Sequence, residues 1–163
     1  MENLKNNCVV GDVIDTVPAN VLQVQYSGTA VNFGNELTPQ STSTEPTLNW
    51  PKEDGAMYTV VMVDPDAPSR QRPTAAEWLH WLVINIQGNA KEEIIQYNGP
   101  TPPKGTGLHR YVLLVFKQNK RLQMDEKDNK AMKKRANFHI KQFAQKHNLG
   151  DAIAANFFQA QNK

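Results

Sequence analysis

A mainly β fold of the α+β class is predicted for this 163-residue chain by three features. Short β-branched and apolar runs, each bounded by Gly, Pro or Asn, fill its first two-thirds. Three of those runs are apolar on both faces, which marks strands covered on each side. The only sustained helical periodicity, at Met132, Ala136, Ile140 and Phe143, comes late. Short hydrophilic connections between the apolar runs make the core mostly antiparallel.

Taken in order, Val21-Leu22-Gln23-Val24-Gln25-Tyr26 alternates and ends at Ser27-Gly28, and Ala30-Val31-Asn32-Phe33 ends at Gly34-Asn35. Residues 38–46 are rich in Thr, Ser and Pro and read as loop. Tyr58-Thr59-Val60-Val61-Met62-Val63, Trp81-Leu82-Val83-Ile84-Asn85-Ile86 and Tyr111-Val112-Leu113-Leu114-Val115-Phe116 are the three buried strands. The late stripe predicts one amphipathic helix of about four turns lying on the sheet. Asp128 or Asn129 is placed to cap its start and Gly150 follows its end.

The length favours a single domain spanning residues 1–163. With 39% apolar and 21% charged residues, the composition is that of an ordinary soluble globular protein. No apolar run approaches the roughly 20 residues that span a bilayer. The N-terminal residues Met1 to Asn7 lack an apolar signal core, and Cys8 is the only cysteine, so the expected location is cytoplasmic. The net charge of +2 is unevenly spread, about −5 over residues 1–116 and +7 over residues 117–146. Without interleaved aromatics beyond Phe138 and Phe143, that basic block reads as a solvated helix face, and no nucleic-acid partner is expected.

Chemistry-bearing residues concentrate beside the buried strands. Asp64-Pro65-Asp66-Ala67-Pro68-Ser69-Arg70 follows the first, and alternation on extended chain points Asp64 and Asp66 to one side. Glu77-Trp78-Leu79-His80-Trp81 leads into the second, with His80 and Leu82 on one face and Leu79, Trp81 and Val83 on the other. A Gly- and Pro-rich stretch, Tyr97 to Tyr111, leads into the third and carries His109. Two carboxylates, two histidines, aromatics and bare glycine backbone suit a phosphate-sized anion, with carboxylates favouring the charged imidazoles. Each residue alone has a plainer reading. Asp-x-Asp in a Pro-rich turn forms caps and Asx-turns, and single histidines serve as hydrogen-bonded structural groups. Clustering at strand ends is what points to a ligand. The absence of His-x-x-x-His, Cys-rich and Gly-x-Ser-x-Gly spacing argues against an enzyme, and no metal or cofactor is expected.

Asp64 to Arg70, and Pro102-Pro103-Lys104-Gly105-Thr106-Gly107-Leu108-His109-Arg110-Tyr111, resemble the two signature segments of the phosphatidylethanolamine-binding protein family, which includes the Raf kinase inhibitor protein. Gly34 to Pro39, Glu77-Trp78 with His80, and Ala154 to Gln161 extend the resemblance over nearly the whole chain. It implies two antiparallel sheets with Greek-key character, a few peripheral helices and an anion pocket at strand ends. Asp64, Asp66, His80 and His109 then match pocket residues, Gly99, Pro102 and Tyr111 its wall, and Trp78, Ala67 and Pro68 its rim, with a cis Ala67–Pro68 bond. The implied partners are a phospholipid head group or another phosphorylated small ligand, together with a kinase or protease that the protein regulates. Peripheral membrane contact and a monomeric state are part of the same expectation. Three departures stand out: Ala75 where relatives carry a rim tyrosine, Thr101 where they carry glycine, and an end at Lys163 where many continue into a closing helix. These predict a more open, wetter pocket.

Overall fold

The computed structural model describes residues 1–163. Nine strands form two sheets. The strands are β1 (Asn20–Val21), β2 (Gln23–Tyr26), β3 (Thr29–Ala30), β4 (Thr47–Asn49), β5 (Met57–Asp64), β6 (Trp78–Gln87), β7 (Ala90–Ile95), β8 (His109–Gln118) and β9 (Ala154–Ala160). The larger sheet has the order β1-β9-β8-β5-β6-β7 and the smaller β3-β2-β4. The run β5-β6-β7 is a meander, and β8 returns beside β5, which is a Greek key. All pairings are antiparallel except β1 with β9, which is parallel because the chain enters the edge of the large sheet before crossing to the small one.

Alternation along the central strands divides the core. Val60, Met62, Trp81, Val83, Tyr111, Leu113 and Val115 face the small sheet and pack on Val24, Tyr26 and Trp50. Val61, Val63, Leu82, Ile84, Val112 and Leu114 face the helical layer, meeting Leu4, Val13, Met132, Ile140 and Phe143. The large sheet is therefore the middle of three layers, which is why its strands are apolar on both faces. Asn156 joins two of the layers. Its amide nitrogen donates to Leu22 and Val31 carbonyls, and its oxygen accepts from Phe33 and Phe157 N–H groups.

The four-turn helix is not formed. Two short helices, α3 (Glu126–Met132) and α4 (Ile140–Lys146), take its place behind the N-terminal α1 (Glu2–Asn6) and α2 (Val9–Asp12). Between α3 and α4 the chain is pulled into bonds with the start of β6. Asn137 N donates to Ala75 O, Phe138 and Glu77 exchange backbone bonds, and Arg135 and Asn137 sit at positive φ of 64° and 59°. Tertiary hydrogen bonds here outweigh helix continuation, while the apolar spacing still buries Met132, Ile140 and Phe143. Asp125, rather than Asp128 or Asn129, caps α3 by accepting from Asp128 N. Asn148, at φ 53°, ends α4 in the left-handed conformation expected of a later glycine.

Candidate functional site

Three strand ends meet at one end of the large sheet: Asp64 closes β5, Trp78 opens β6 and His109 opens β8. The register between β5 and β6 slips there, Met62 pairing with Trp81 but Val63 with Leu79, so His80 is the extra residue of a β-bulge. The slip corrects the strict alternation expected for this segment. Leu79 joins Leu82 in the core beneath the helices, while Trp81 and Val83 face the small sheet. The bulge withdraws His80 O from the β5 ladder, and it accepts from Asn98 N and from Arg135. His80 Nδ1 lies 2.6 Å from Asn98 O, so this nitrogen is the protonated one, and no protein group bonds Nε2.

Asp64 and His109 are bonded on the small-sheet side. Asp64 Oδ2 accepts from His109 Nδ1 at 2.8 Å, and Asp64 Oδ1 accepts from Asp66 N at 2.7 Å, an Asx-type turn. The Thr106 hydroxyl donates to Pro103 O at 2.7 Å and lies 2.9 Å from His109 Nε2. With that proton committed to Pro103, Thr106 Oγ1 accepts from Nε2. The ring edge expected to meet a phosphate is thus held by Thr106.

Asp66 does not share the site. The strand ends at Asp64 and the chain turns at Pro65, so alternation no longer applies. Asp66 instead grips Arg110 through Oδ1 to Nη2 at 2.7 Å and Oδ2 to Nε at 2.9 Å, and accepts from Arg110 N, on the side of the N-terminal helices. Arg110 also meets Asp12 and the Asn7 carbonyl. Gly99 is likewise absent from the wall. A Cβ there would stand 2.9 Å from Thr42 O and from Ser43 Cα, so the glycine permits close backbone packing rather than ligand contact.

The remaining predicted residues converge. A cavity of about 290 Å³ is lined by Asp64, Ala67, Pro68, Trp78, His80, Pro102, His109 and Tyr111, with Thr74, Ala75, Thr101 and Pro103. The Ala67–Pro68 peptide is cis, as is Ala76–Glu77. Tyr111 stacks on His109 (ring centroids 6.2 Å apart) and on Phe158, and its edge meets His80 at 5.3 Å. Its hydroxyl bonds no protein group. Burial, followed by the field of Asp64 and Asp66, raises the Tyr111 phenol well above its ordinary range, so it stays a donor.

Burial dominates His80 as well. It lowers the ring's pKa, opposed by the Asn98 carbonyl and Asp64 and assisted by Arg135 and His109. The expectation that carboxylates keep both histidines charged therefore fails for His80, because Asp66 is spent on Arg110 and Asp64 is bonded to His109. The lining holds one carboxylate and no lysine or arginine. No cluster of three His, Cys, Asp or Glu side chains is arranged to hold a metal ion.

Two supporting groups were not legible as such in the sequence. Thr106 lies within a recognised segment, and its spacing of three from His109 was the available signal. Arg135 had none. It lies in the basic block, yet its guanidinium donates to Leu79, His80 and Gln96 carbonyls and ties the Asn98 loop to β6.

Comparison with known proteins identifies the class. The phosphatidylethanolamine-binding protein family model matches residues 16–159, and the chain belongs to that family. It is similar to "Putative odorant-binding protein A5" of Drosophila melanogaster, with 36% identity over 96% of this chain and 78% of the relative. Among solved structures, the carboxypeptidase Y inhibitor complexed with its cognate proteinase superposes with a TM-score of 0.84 and 27% identity, over 99% of this chain and 94% of that one. The phosphatidylethanolamine-binding protein from Plasmodium vivax matches in fold, with a TM-score of 0.78 and 24% identity over 99% and 97% of the two chains.

Proposed function

We propose that this protein is a non-enzymatic cytoplasmic monomer that binds a phosphate-bearing group, a phospholipid head group or a phosphorylated residue, in a signalling-regulatory role. One observation carries the reading. His80 Nε2 and the Tyr111 hydroxyl, without protein partners, converge on a cavity beside the Asp64–His109 pair. A volume of about 290 Å³ suits a head group and not a whole lipid. Trp78, Pro68 and Pro102 supply the apolar rim.

The test is an amide NMR titration with phosphorylethanolamine on the wild type and Tyr111→Phe. Saturable shifts confined to residues 64–68, 78–80 and 101–111, weakened in the variant, are expected. Shifts elsewhere, or none at millimolar ligand, reject the pocket.

A second reading, inhibition of a protease or kinase through protein docking, is favoured by the likeness to the carboxypeptidase Y inhibitor. The five cations of residues 117–146 that pair with no carboxylate and no carbonyl, Lys120, Lys127, Lys130, Lys133 and Lys134, offer an acidic partner a contact surface. Partner capture lost on charge reversal at Lys133 and Lys134 but retained in Tyr111→Phe supports docking over the pocket.

A further inference from the structure

His109 lines the cavity, yet the protein itself occupies both of its ring nitrogens. The residue is 1% exposed, and its Nδ1 is held by Asp64 Oδ2 at 2.8 Å. Nε2 lies 2.9 Å from the Thr106 hydroxyl, which donates to Pro103 O at 2.7 Å and so accepts from the ring. Pro103 and His109 belong to the cavity lining, and Thr106, which bonds both, does not. Its hydroxyl therefore closes the wall from behind, at the edge where His109 Nε2 would otherwise be open to a ligand.

The closure sits on a turn that can give way. Thr106 stands between Gly105 and Gly107, at φ 77° and 80°, and a Cβ built on either glycine would meet nothing within 4 Å. Glycine changes φ without a side-chain clash, so both positions can act as hinges. Pro103, Lys104, Gly105 and Gly107 are exposed, and within this turn Thr106 alone points inward. Apart from the His109 bond, the turn is tied to the rest of the chain by Gly105 N donating to Asn162 O at 3.0 Å. A phosphate oxygen accepts from Nε2 in a charge-assisted bond, roughly twice as strong as the bond a neutral hydroxyl makes. Pro103 O, once released, pairs with water, because Pro103 is exposed. Resting on the phosphate-pocket reading above, we propose that Thr106 is a latch on His109. A phosphate entering the cavity takes the hydroxyl's place at Nε2, and the turn 103–107 swings outward about its two glycines while the Asp64 bond holds the ring still.

Thr106→Val keeps the shape of the side chain and removes the hydroxyl, which leaves the buried Nε2 without an acceptor until a ligand supplies one. Calorimetric titration with phosphorylethanolamine should show Thr106→Val binding about twofold to tenfold tighter than the wild type, the worth of one ordinary hydrogen bond. Thr106→Ser retains the hydroxyl and should bind like the wild type. Thermal melting of all three proteins checks that each is folded before it is titrated. The wild type gives a second readout that needs no substitution. On saturation with phosphorylethanolamine, nuclear Overhauser contacts between Thr106 and the His109 ring should weaken, while those between His109 and the stacked Tyr111 ring persist. Thr106→Val binding no tighter than the wild type, or Thr106–His109 contacts that survive saturation, overturns the latch and leaves the phosphate pocket standing. Failure of phosphorylethanolamine to bind any of the three proteins overturns the pocket and the latch together.

Discussion

Replacing Glu77 by Gln should stabilise the protein at alkaline pH and not at acidic pH. Glu77 is only 8% exposed, wedged where β6 begins, and its Oε1 accepts from Ile140 N at 2.9 Å, supplying α4 with the cap that His139 does not. Burial raises its pKa from 4.5 to about 7, against the lowering pull of the Ile140 bond and Lys141. A raised carboxyl pKa means that the unfolded chain gives up its proton first. Between about pH 4.5 and 7 the native state binds more protons than the unfolded one, so stability falls as pH rises through that window. At about 1.4 kcal/mol per pH unit, the displacement from 4.5 to about 7 corresponds to as much as about 3 kcal/mol. Gln keeps an oxygen for Ile140 N and cannot ionise. The stability of Glu77→Gln relative to wild type should therefore rise by up to about 3 kcal/mol between pH 5 and pH 8. Urea denaturation of both proteins at the two pH values measures it, with the slopes compared to confirm that the unfolded states match. A difference that does not change with pH would refute the assignment of a buried, late-titrating carboxyl at this position.

Other consequences follow from the same geometry. Arg110→Ala leaves the buried Asp66 carboxylate without its bidentate partner and should cost about 3–5 kcal/mol in urea denaturation. The Asp66→Leu, Arg110→Met double variant should recover much of that loss. Gly99→Ala forces a Cβ to within 2.9 Å of the 42–43 backbone and should cost about 1–3 kcal/mol by thermal melting, with amide shifts in both loops. Asn156→Ala strands two carbonyls and two N–H groups between the layers, and a loss of about 2–4 kcal/mol is expected from the same assay. Arg135→Met removes a cation near His80, so the His80 ring should titrate at higher pH when followed by NMR.

The sequence exposed the central strands because three-layer burial makes them apolar on both faces, a signal local to each strand. It located the cavity because Asp64, His80, His109 and Tyr111 all lie within two residues of such a strand's end. It could not separate Asp64 from Asp66, since the turn at Pro65 and the pull of Arg110 from another strand decide where each carboxylate goes. The bulge at His80 was invisible for the same reason: it is a property of the β5–β6 register, not of either strand alone. Strands β4, β7 and β9 were missed as strands. β7 is polar on a largely exposed edge, and β9 begins with two alanines of weak strand preference that the sheet's pairing overrides. The long helix failed because periodicity reports which residues are buried, and two short helices bury the same residues as one.

The most direct test of the central claim is a crystal structure of the protein soaked with phosphorylethanolamine. The account predicts the phosphate inside the cavity, within hydrogen-bond distance of His80 Nε2 and the Tyr111 hydroxyl, with the Asp64–His109 bond intact. A phosphate found on the lysine-rich surface around Lys133 and Lys134, with the cavity left to water, would contradict it.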